Sequence, residues 1–108
     1  MDYPHSSFST GNDQQSLSLS VYKHNGKPYL HASLYRATKS GSTTLVSTST
    51  IGDFFQDSVT ATCDATLVVG HTHFQFSTAK RLDSTLEWLR QNGVTVRYHN
   101  QEAEAVFA

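Results

Sequence analysis

Two short alternating runs on either side of one dipeptide restrict this chain more than anything else in it: Leu17-Ser-Leu-Ser-Val-Tyr22, then His24-Asn25-Gly26-Lys27, then a second run from Pro28. Leu17, Leu19 and Val21 recur at every second position, the pattern of a strand with one buried face. Asn-Gly supplies the two positive φ angles of a type I′ turn, whose twist matches that of paired strands. A β-hairpin is therefore expected, with a return strand from about Pro28 to Thr38 that buries Leu30, Ala32 and Leu34. Tyr29, His31, Ser33 and Tyr35 then share the opposite face, which is unusually aromatic.

Beyond the hairpin, Lys39 to Ser42 reads as a turn, and Thr43 to Thr50 is β-branched enough for a third strand, although its alternation is poor. Ile51 to Asp57 is expected to form either one helical turn capped by Thr50 or a loop, with Phe54 and Phe55 plugging the core. Val59, Ala61 and Cys63 alternate, which makes Cys63 a small buried apolar residue. After a break at Asp64, Thr66 to Phe76 resumes as one extended strand with Gly70 as a bulge.

A helix is predicted over about 78–92, with Ser77 as N-cap, an apolar stripe of Ala79, Leu82, Leu86 and Leu89, and a stop at Asn92-Gly93. Trp88 falls off the centre line of that stripe, at the rim of the contact. Val94, Val96 and Tyr98 then form a closing strand, placed by a right-handed crossover roughly parallel to the Thr66 to Phe76 strand. The fold class these elements imply is α+β: a mostly antiparallel sheet of four to six strands with one long C-terminal helix on one face, a single two-layer domain. Residues 1–15 are expected to be a flexible lead-in, 16–100 the domain and 101–108 a loose tail.

The chain of 108 residues has room for one core, with no repeat or linker to divide it. Only 16% of residues are charged, so 14 Ser and 13 Thr must supply the polar exterior. Eight basic residues against nine acidic ones leave a net charge of -1, which provides no global field for a polyanion. Cys63 is the single cysteine, so neither an intramolecular disulfide nor a cysteine-rich zinc module is expected. The start of the chain lacks the basic and apolar regions of a signal peptide, and no run approaches the length of a membrane span; a cytoplasmic location is expected.

Three groups are candidates for chemistry. In His71-Thr72-His73 alternation sends both imidazoles to one side of a strand, and a zinc ion there would need further ligands from His31, His99 or Asp64. His31-Ala32-Ser33-Leu34 resembles the strand motif of the two-histidine phosphoesterases, in which paired histidines act as acid and base on a phosphodiester. The second copy, His71-Thr72-His73-Phe74, departs from that motif at positions 72 and 73. The third group is the hairpin itself, with Lys23, His24 and Lys27 at its tip and Tyr22, Tyr29, Tyr35, Arg36 and Lys39 along or beyond its arms. Basic and aromatic residues together suit single-stranded nucleic acid, and tyrosine and arginine suit a protein interface at least as well.

No phosphate-binding glycine loop, Cys-x-x-Cys or nucleophile elbow is present in the sequence, so no cofactor is expected. The expected function is a non-catalytic protein-binding module of the kind that phages and mobile elements use as inhibitors, anti-CRISPR or otherwise anti-defence, which occludes a larger nucleic-acid-handling or effector protein. Its binding residues would be Tyr22, Lys23, His24, Lys27, Tyr29, His31, Tyr35 and Arg36. The competing readings are a histidine-dependent phosphodiesterase or metal hydrolase using His31, His71 and His73, and single-strand nucleic-acid binding. A homodimer joined by sheet edges is also open, because the third strand carries few of the charges that blunt an edge.

Overall fold

The computed structural model describes residues 4–52 and 59–99. Two four-stranded sheets and one helix close around a single cluster of buried side chains. The first sheet is an antiparallel meander of β1 (Pro4–Gly11), β2 (Gln15–His24), β3 (Lys27–Ala37) and β4 (Thr43–Gly52), in that order across the sheet. The second contains β5 (Val59–Thr62), β6 (Thr66–Val69), β7 (Thr72–Gln75) and β8 (Arg97–His99), in the order β7-β6-β5-β8. Helix α1 spans Ala79–Gln91. The α+β class and the mostly antiparallel pairing follow the sequence pattern, but the strands form two sheets rather than one, and the helix is 13 residues long.

The Asn25-Gly26 hairpin forms as its sequence requires. His24 pairs with Lys27 around a two-residue turn, and Asn25 and Gly26 take φ values of 52° and 80°. Leu17, Leu19, Val21, Leu30, Ala32 and Leu34 are all buried on the inner face. β4 pairs regularly from Ser47 to Gly52, then bulges at Val46 so that Tyr35 faces Leu45. That bulge is why the alternation of this strand is hard to see in the sequence.

Part of the expected flexible lead-in is instead β1, paired along β2 from Pro4 to Gly11. Phe8 is its one large apolar side chain, so no period is visible, and besides the ladder with β2 it is held from 80 residues downstream in sequence. Phe8 lies 5.6 Å, centroid to centroid, from Trp88, whose Nε1–H donates to Ser6 Oγ at 2.8 Å. Trp88 thus sits half-buried at the rim of the contact between helix and sheet, where the stripe puts it. Asn12 shapes the β1–β2 turn: its Oδ1 accepts from the N–H groups of Gln14 and Gln15, and its Nδ2 donates to the Gln75 carbonyl at 2.8 Å.

The expected long strand from Thr66 to Phe76 is a hairpin. Val69 pairs with Thr72, and Gly70 sits at the first central position with φ 60°, the conformation a type II′ turn requires. Cys63 is exposed rather than buried, because the chain leaves β5 at Thr62 and turns through Cys63, Asp64 and Ala65, which breaks the phase of Val59 and Ala61. Thr78, not Ser77, caps α1, its Oγ1 accepting from the N–H of Arg81. The buried stripe is Leu82, Thr85, Leu86 and Leu89, with Ala79 exposed. Gly93 (φ 80°) then ends the helix in a Schellman arrangement: Gly93 N–H donates to Arg90 O and Val94 N–H to Leu89 O.

The closing strand is shorter and later than its pattern suggests, Arg97–His99, and it pairs in parallel with β5 rather than lying next to β7. It still runs in the same sense as β7, since β5, β6 and β7 alternate in direction. Phe54, Phe55 and Asp57, and the tail 101–108, lie outside the described residues, whereas Thr50 and Ile51 belong to β4. Among the described residues no helix is long and apolar enough to cross a membrane.

Candidate binding face

The first sheet has one face in the core and one outside, and the outer face is where the sequence candidates gather. Strand alternation and register place Ser18, Ser20 and Tyr22 of β2 beside Ser33, His31 and Tyr29 of β3, and these beside Thr48, Thr50 and Gly52 of β4. β1 contributes Ser7 and Ser9 to the same rows. At one end, near the Asn25-Gly26 turn, the rings of Tyr22 and Tyr29 stack at 5.2 Å with 9° between their planes. At the other end Ser16, Tyr35 and Leu45 form a row, with Leu45 exposed.

Between these ends the surface is a lattice of hydroxyls around one imidazole. His31 Nδ1 lies 2.8 Å from Thr50 Oγ1 and its Nε2 lies 3.1 Å from Ser33 Oγ, so both ring nitrogens are occupied. Ser33 is only 6% exposed although it points away from the core, because the His31 ring leans along the strand onto it. Ser7 and Ser20 are 3.4 Å apart across the β1–β2 pair. No Asp, Glu, Lys or Arg of the described residues stands on this face between the turn tip and Gly11, by strand parity.

The basic candidates separate from the aromatic ones. Lys23, paired with Pro28, and Arg36, paired with Gln15, have the opposite parity to Tyr22 and Tyr35 and leave the face. Lys27 stays at the exposed tip, where His24 shares its row, and Lys39 lies in the β3–β4 turn. The expected union of tyrosines with Lys23 and Arg36 is therefore split by alternation: Tyr22, Tyr29, His31 and Tyr35 are brought together, and the cations stand apart.

The histidine candidates separate as well. His71 belongs to the Gly70-His71 turn and not to a strand, and its Nδ1 lies 3.1 Å from Ser49 Oγ. Ser49 faces the core, pairing with Ala32, whereas the partner of His31 on the same strand, Thr50, faces out. His31 and His71 therefore lie on opposite sides of β4, which removes the shared centre that the two-histidine pattern implies. His73 is exposed on β7, and the buried Thr72 between the two histidines ties the sheets together, 2.8 Å from Ser49 Oγ and 3.0 Å from Ser47 Oγ. Among the described residues no three His, Cys, Asp or Glu side chains stand together as a metal site. Asp64 lies in the β5–β6 turn, where hydrogen bonds from Thr62 and then Thr66 hold its carboxyl below its usual value.

The sequence pattern gives the aromatic residues of this face and Ser33 but not its other serines and threonines, nor Leu45. The signal was available in part: Ser16, Ser18 and Ser20 alternate with the buried Leu17, Leu19 and Val21. Comparison of the chain with protein-family models, curated proteins and solved structures finds no match.

Proposed function

We propose that this chain is a non-catalytic protein-binding domain that docks a partner on the outer face of the first sheet and acts by covering part of that partner. The observation that carries the reading is the pairing of a charge-free hydroxyl lattice with tyrosines at both ends. Tyrosine offers large contact area at a small entropic cost, and the stacked Tyr22–Tyr29 pair and the doubly bonded His31 are already ordered, so little freedom is lost when they are buried. Serine and threonine have short side chains and add hydrogen bonding without the desolvation cost of an ion. An open sheet face of this kind suits another protein surface better than a small ligand, which concave sites enclose.

The finer reading is an inhibitor of phage or mobile-element type, anti-CRISPR or otherwise anti-defence, that occludes a larger nucleic-acid-handling or effector protein. It rests on the low charge of the 108 residues and on the lack of a recognisable catalytic motif among them. The test is affinity capture from a nuclease-treated lysate at moderate salt, run in parallel with the chain carrying Tyr29→Ala and Tyr35→Ala. The expected result is a stoichiometric protein that wild type retains and the folded double variant loses. Equal retention by both chains would remove the face from the account. A complex that dissolves as salt rises would favour the cations of Lys23, Lys27 and Arg36, and with them nucleic acid.

A further inference from the structure

We propose that two copies of this chain join edge to edge through β4, antiparallel about a two-fold axis. The sheets have four outer strands, and they differ in how they are protected. β7 and β8 have only four and three residues, and β8 carries Arg97. β1 is shorter, at eight residues, and begins at Pro4, which has no N–H to offer a ladder. β4 has ten residues with neither proline nor charge, and among the described residues no strand pairs with its far side.

Charge decides who can occupy such an edge. In an isologous pair every residue faces the same short stretch of its own sequence, so a charged edge meets like charges while a neutral one meets no such penalty. Thr43 to Gly52 is neutral throughout. The edge also holds two of the three large hydrophobic residues that the described structure exposes, Leu45 at 53% and Val46 at 44%. Leu45 to Gly52 would supply roughly 25 Å of ladder at strand rise. Pairing there joins two outer faces into one eight-stranded surface. It does not depend on what that surface binds.

The test is light scattering of the full chain over a concentration series, with Val46→Lys and Leu45→Lys as variants and hydrogen exchange of residues 43–52 as a second readout. Both side chains are exposed in the protomer, so both variants should keep the melting temperature that the wild type shows at dilutions where it is monomeric. The expected result is a wild-type dimer, a dissociation constant raised at least about tenfold by Val46→Lys, and faster exchange in β4 of the variant. A wild type that stays monomeric at every concentration overturns the proposal. So does a dimer indifferent to both lysines, or a monomer whose β4 amides are already protected, which would mean that another part of the same chain covers the edge.

Discussion

Along β2 and β3 alternate residues part into Leu17, Leu19, Val21, Leu30, Ala32 and Leu34 on one side and Ser18, Ser20, Tyr22, Tyr29, His31 and Ser33 on the other. The first set is no more than 5% exposed and joins the core; the second makes the lattice and the stacked rings of the outer face. A strand must place neighbours on opposite sides, so one stretch of sequence holds two independent designs. Substitution on the inner side should cost stability, and substitution on the outer side should cost binding.

The largest expected effect is on the inner side. Leu19→Ala at a site with 0% exposure should lower the unfolding free energy by about 2–5 kcal/mol, read as an earlier midpoint in urea. Thr72→Val keeps the shape but strips Ser47 and Ser49 of the hydroxyl they share, and should cost about 1–3 kcal/mol. Gly70→Ala puts a Cβ 3.0 Å from Ser49 at φ 60°, with a cost of about 1–2 kcal/mol from the backbone alone. Ser49→Gly in the same chain should not recover that loss, because with the side chain the new methyl meets it also removes the hydroxyl that bonds Thr72 and His71. If Gly70→Ala is neutral, the β6–β7 turn is looser than its contacts indicate.

The smallest effects belong to exposed groups. Asp64 has a folded pKa held below its usual 3.8, so its contribution is present above that value and fades as pH falls through the lower, folded one. Asp64→Asn should therefore lower stability slightly at neutral pH, where the charged carboxylate holds the Thr62 and Thr66 hydrogen bonds, and flatten the acid limb below about pH 4, where carboxylates titrate. A change confined to neutral pH would show that the Thr62 and Thr66 hydrogen bonds matter for the turn and not for the charge.

How much of this was legible in the sequence depended on how local the cause was. The Asn25-Gly26 hairpin, its two faces and the Gly93 stop each follow from a few adjacent residues, and the structure has them. β1 was not legible, because its only large apolar side chain, Phe8, is matched by Trp88 at the far end of the domain. The split of Thr66 to Phe76 into β6 and β7 was hidden because Gly70 suits a bulge as well as a turn, and because Thr72 is buried by its bonds to Ser47 and Ser49 and not by its own polarity. Cys63 failed for a related reason: the phase set by Val59 and Ala61 holds only while the strand continues, and it ends at Thr62. At the candidate site, alternation foretold the face shared by Tyr29, His31 and Tyr35, but the same alternation, applied to Lys23 and Arg36, would already have separated them from it.

The most direct test places one charge in the middle of the outer lattice. Ser18→Lys lies between Ser9 and Ser33 in register, and its long side chain can reach water, so the variant should fold and melt as wild type does. Captured beside wild type and a Lys80→Glu control on the helix, it should retain no partner while the control retains all of it. Equal capture by Ser18→Lys and wild type would contradict the account, because the outer face would then not be where the partner sits.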